Sequence, residues 1–217
     1  MDIGQIKNQK PKVKDQEQKS KMDKGSKIAE VIEASSAEFT AQCYKLDQAP
    51  PLGSLVKTQD KLGEIYGVVY NVETHSLEPG RRVVARGENL EVEEEIFEAN
   101  PQLSRLLTTD FRVLVVGHVQ GKSWCHYLPP KPASIHSFVY TCQLEEIRAF
   151  TRSLDFLSLL VNARIPIPVD EVTGACLRYA SQAHHDPGAF LVKAGKELAC
   201  MLSSDVKRLN SLLKRLK

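Results

Sequence analysis

Arg112-Val113-Leu114-Val115-Val116, Tyr127-Leu128-Pro129-Pro130-Lys131-Pro132 and Ser137-Phe138-Val139-Tyr140 all fall between Phe111 and Tyr140, and their order decides the fold. The first run is β-branched and apolar, as a strand requires. Gly117-His118 reads as a turn into a second short strand. A near-continuous proline run lacks the N–H donors that a sheet ladder needs, so residues 127–132 form a stiff, extended connector. The third run is again a strand. Strand, polyproline crossing and strand at this spacing point to a small closed β-barrel rather than to an enzyme pocket.

Working outward, more strands precede this stretch. Glu38–Leu46 alternates, Pro50-Pro51-Leu52-Gly53 turns into Ser54–Lys57, and Gly63–Val72 is the strongest strand signal in the chain. Gly67 inside that run suggests the sharp bending a barrel needs. Glu78-Pro79-Gly80 reads as a turn and Arg81–Gly87 as a further strand. Residues 91–107 read as two short helices split at Asn100-Pro101, an excursion that Leu90, Ile96, Phe97, Leu103, Leu106 and Leu107 would pack onto the barrel. The reading is thus α+β: a small antiparallel barrel over residues 34–142 with a helical insertion at 91–107, then a helical region over 143–217.

In that last region one amphipathic helix is expected from Leu144 to Val161, and a second from Asp170 to about Ala183. A long third helix is expected from about Gly188 to Leu216. Its apolar positions follow a near-heptad spacing, and its end combines Leu209, Leu213 and Leu216 with Lys207, Arg208, Lys214, Arg215 and Lys217. Such a stripe can pack on its own domain, or serve as an association surface for an acidic groove or a second copy of the helix. At the other end, residues 1–27 are rich in Lys and Gln and poor in large apolar residues, which predicts a disordered basic tail.

The 217 residues carry a net charge of only +2, so the chain as a whole is not built as a polyanion binder. Five cysteines without C-x-x-C spacing read as reduced thiols. With no apolar leader and no run long enough to span a bilayer, a cytoplasmic location is expected.

The chain has no phosphate loop, dinucleotide turn, nucleophile elbow or H-E-x-x-H pair. His184-His185-Asp186 reads as a helix-terminating loop. Cys125 and His126 are strand neighbours that face opposite ways. His136 reads as a ring that fixes a turn by bonding a backbone group. The acidic run Glu91, Glu93, Glu94, Glu95 and Glu98 reads as a solvated helix face. No catalytic residue, metal or cofactor is expected.

The runs Gly63–Val69, Glu78–Gly87, Arg112–Gly117 and Leu128–Pro132, followed by Phe138–Tyr140, resemble the HAS-barrel, the six-stranded module shared by HerA-type translocases and the catalytic head of the rotary ATP synthase. The resemblance covers about Glu38–Cys142 and implies that the barrel is six-stranded. The whole chain is similar to an uncharacterised group of cyanobacterial HAS-barrel proteins through Arg86–Leu90, Asn100–Leu103 and Ile135–Tyr140. In the ATPase families the barrel precedes a motor domain with a phosphate loop; here about 75 helical residues follow instead. The resemblance therefore implies a non-enzymatic docking or assembly module whose partner is a protein, a ring ATPase or its own copies. The alternative is a nucleic-acid-associated accessory factor of a HerA-type DNA-processing system. Its support is the basic ends; the barrel strands lack a basic and aromatic face for stacking bases.

Overall fold

The computed structural model describes residues 25–60, 63–78, 80–92 and 94–217. Most of the expected basic tail lies outside the described residues; Lys27, its last residue, opens the first strand. The strands are β1 (Lys27–Ala34), β2 (Glu38–Cys43), β3 (Leu55–Asp60), β4 (Gly63–Ser76), β5 (Leu107–Gln120), β6 (Ser123–Cys125) and β7 (Phe138–Thr141). Every pairing is antiparallel, and the order β1-β7-β3-β4-β5-β2 returns to β1, closing a six-stranded barrel. β6 is a short seventh strand hairpinned onto β5. β1 precedes the expected start of the barrel at residue 34 and supplies one side of its seam. Register shifts in β1 and β4 mark bulges, the usual means by which a small barrel turns its corners.

The barrel interior is filled by side chains of graded size. Val31 lies opposite Ala41, and Phe39 opposite Ala34; Val56, Val69, Phe111, Val113 and Val139 complete the packing. Ala133, on the proline connector, is buried with this set, so the connector closes one end. A second core lies outside the barrel. Tyr66, Val68 and Tyr70 of β4, with Leu114 and Val116 of β5, face outward and are covered by the helices. Burial of both faces explains why β4 and β5 read as unbroken apolar runs rather than as alternations.

The helices are α1 (Glu94–Ala99), α2 (Leu103–Leu106), α3 (Leu144–Phe150), α4 (Leu157–Val161), α5 (Val169–Ser181), α6 (Pro187–Met201) and α7 (Val206–Lys214). Two expected helices are each broken in two. The first ends at Phe150, where Thr151 turns its hydroxyl back onto the Ile147 carbonyl at 2.6 Å. Phe150 is then free to stack on Tyr66 at 5.4 Å and to meet Trp124, His126 and Phe156 edge-on or tilted. The last helix stops at Met201 and restarts at Val206, where Asp205 accepts a bond from the Arg208 amide at 2.9 Å as N-cap. The break folds α7 back onto α5, which a straight heptad helix could not do.

Three further expectations are corrected. The turn lies at Gly121-Lys122, not at Gly117-His118, since β5 runs on to Gln120 and pairs with Ser123. Gly117 is there for close approach: a Cβ would sit 2.5 Å from the Cys125 carbonyl oxygen and 3.0 Å from Phe150. Arg81–Gly87 is not a strand, because it lies beyond Ser76–Leu107, the last pair of the β4–β5 ribbon, with no strand beside it among the described residues. Nor do the insertion helices pack down on the barrel. Neither holds a buried residue, and Ile96 rests against Gly87 of the insertion itself. Leu107 is the first residue of β5.

Candidate interaction surfaces

Lys57 gives β3 a charged side chain only 6% exposed. Its ammonium reaches Glu64 on β4 at 3.2 Å and Glu146 on α3. Burial alone would lower the pKa of this amine, but hydrogen bonds and charge from Glu146 and then Glu64 outweigh it and hold the pKa above the ordinary lysine value. Glu146 also accepts from the Gln143 amide at 2.9 Å, completing the capping box of α3. Glu64 accepts from the Tyr66 hydroxyl at 2.9 Å. The cluster ties barrel to helix, and each of its charges is committed to a partner. Sequence reading missed it, since a lysine followed by Thr58, Gln59 and Asp60 reads as the polar end of a short strand.

Several histidines are likewise engaged, and the Cys142 and Cys176 thiols are buried. The His126 Nε2 faces the Phe150 carbonyl at 3.1 Å, so that nitrogen is the donor. The His184 Nε2 lies 2.8 Å from the Thr151 hydroxyl, whose hydrogen is already given to Ile147; the ring stacks on Phe190. Burial is the main cause lowering both histidine pKa values. His136, at φ 67°, places Nδ1 2.5 Å from the Glu30 carboxylate, while its backbone N–H donates to the Val31 carbonyl. The ring therefore holds a side chain, and the main chain makes the turn contact expected of the ring. Burial pushes the Cys176 thiol up to about 12 and raises that of Cys142. Among the described residues, no three His, Cys, Asp or Glu side chains gather as metal ligands would. No helix among them is long and apolar enough to cross a membrane.

α7 lays its leucines on the chain's own helical core. Leu212 and Leu216 are buried, while Leu209 and Leu213 are half-buried against the same cluster. Arg208 bonds Asp170 at 2.8 and 2.9 Å and the Val161 carbonyl at 2.8 Å; Arg215 bonds Glu171 at 2.7 Å. Lys207 and Lys214 are left exposed. A groove of about 470 Å³ lies between β4, the β5–β6 turn and the proline connector, lined by Ile65, His118, Val119, Tyr127, Leu128 and Pro130. Its one ring nitrogen with a described partner, Nδ1 of His118, is given to the Tyr127 carbonyl.

The remaining surface is the insertion between β4 and β5. Past Val69, β5 is the one strand partner of β4 among the described residues, so a two-stranded ribbon carries residues 77–106 beyond the barrel. None of the described residues of this arm is buried. Val84 is 68% exposed, and Leu77, Val83, Val92 and Phe97 also face solvent. The arm nonetheless has internal order: Leu77 bonds Leu106 across its base at 2.9 Å, and Arg86 bonds Asn100 at 3.1 Å.

No protein-family model matches this chain, and no curated protein sequence matches it.

Proposed function

We propose that this chain is a non-enzymatic docking module, a HAS-like barrel braced by helices that offers its arm to a protein partner in a larger assembly. The arm carries the reading. A segment whose described residues are all unburied, yet which exposes five large apolar side chains at the end of a two-stranded ribbon, has the composition of a surface awaiting a partner. The barrel supports it as a scaffold, with an interior filled by side chains and its buried lysine satisfied. Lys207 and Lys214, on the outer side of α7, form a second basic contact suited to an acidic neighbour such as the rim of a ring ATPase.

The test is to replace residues 77–106 with Asn-Gly, since Ser76 and Leu107 are directly paired and a two-residue turn can join them. The shortened chain should melt as the full chain does and lose its assembly partners in crosslinking from its native host. Unchanged crosslinks would overturn the proposal.

A further inference from the structure

The arm's charges are separated along its length. Arg81, Arg82 and Arg86 sit in the irregular stretch that follows β4, and Glu91, Glu94, Glu95 and Glu98 lie in and before α1. Within the arm, Arg81 with Glu78, at 2.8 Å, is the single ion pair among the described residues. Arg82, Val84 and Arg86 stand at alternate positions and are all exposed, basic–apolar–basic. On α1, Glu94, Phe97 and Glu98 fall at positions i, i+3 and i+4 and share one face, acidic–aromatic–acidic. The two sets are complementary in charge and in the apolar residue at their centres. Both belong to one short arm that holds them side by side through the Gly87–Ile96 contact and the Arg86–Asn100 bond.

We infer that the partner of the arm is the arm of a second copy of this chain: two arms meet about a two-fold axis, with Arg82–Val84–Arg86 of each copy laid on Glu94–Phe97–Glu98 of the other. A two-fold interface needs one patch that is complementary to itself, and a surface bearing both halves of a matched pair meets that condition. This inference rests on the docking reading and names its partner.

The experiment uses two full-length variants, Arg82→Glu with Arg86→Glu, and Glu94→Lys with Glu98→Lys, measured with the wild type by sedimentation equilibrium. The wild type should be a dimer. Each variant alone sets like charges together twice, and its dimer should weaken about tenfold or more. In an equimolar mixture, every contact between unlike variants pairs opposite charges, so the heterodimer should return to the wild-type affinity. That rescue also shows that both variants are folded, and Val84→Asp should weaken the dimer without rescue by either. A monomeric wild type, a dimer insensitive to both charge reversals, or a mixture that stays monomeric would each overturn the inference. A monomer whose native-host crosslinks still depend on residues 77–106 would leave the docking reading standing with a different partner.

Discussion

Lys57 shows what one residue decides here. Removing its ammonium would leave Glu64 and Glu146 facing each other across the junction between β3, β4 and α3. Breaking a buried pair in this way costs about 3–5 kcal/mol, and the partial exposure of both carboxylates reduces that to about 2–3. Lys57→Met should therefore lower the stability measured by urea unfolding by that amount, and Lys57→Met with Glu64→Gln and Glu146→Gln should recover much of it. A single variant as stable as the wild type would show the ammonium to be dispensable. His126 and His184 set a pH dependence. Both are held below the ordinary histidine pKa in the folded chain, so the unfolded chain binds protons first as pH falls. The stability they lend is present above about pH 6.5 and is lost below it. The melting temperature should drop between pH 7 and pH 5, and His184→Gln should flatten the drop. At this scale the sequence was least legible: Lys57 and Glu146 are 89 positions apart, and no periodicity links them.

At the scale of elements, propensity and spacing located the barrel strands other than β1 and the starts of most helices, but missed those of α4 and α7 and misjudged continuity. The heptad spacing from Leu198 to Leu216 is real, but Asp205 offers the chain an N-cap and the helix restarts. Arg81–Gly87 has strand composition and no neighbour to pair with, because pairing is settled by where the ribbon ends. The α7 stripe, open between core and interface on sequence grounds, rests on α5 and α6, with Leu213 lying 3.3 Å from where a Cβ on Gly195 would be. Leu209→Lys with Leu213→Lys should accordingly lower the thermal midpoint of the whole protein, and Leu212→Ala alone should cost about 2–4 kcal/mol. A double variant with an unchanged midpoint would return the stripe to the surface. Gly53, at φ 82°, turns the chain into β3 while pressed on the backbone of α5 around Cys176. Any side chain there would force the loop off the helix.

The whole molecule has two cores that share β4 and β5 as a common wall. Inward residues such as Val113 and Val115 belong to the barrel; Leu114 and Val116, between and beyond them, belong to the helical layer. The sequence made the closed six-stranded barrel and its helical companion legible, but not this shared wall, since a continuous apolar run does not say what covers each side. The wall predicts that the two layers unfold together. Calorimetry should give one transition whose van't Hoff and calorimetric enthalpies agree, and a chain ending at residue 142 should aggregate through the uncovered Tyr66, Val68 and Leu114. Two resolved transitions would show that the layers are separable.

The barrel seam joins β1, at residues 27–34, to β7, at residues 138–141. In a chain made from its N-terminus at roughly 5–20 residues per second, β1 therefore waits about 5–20 s after its own synthesis before its second neighbour exists. For that interval the outer edge of β1 stands open, even after β5 has emerged to cover that of β2, and in cells this is the period in which the nascent chain most needs protection from other strands.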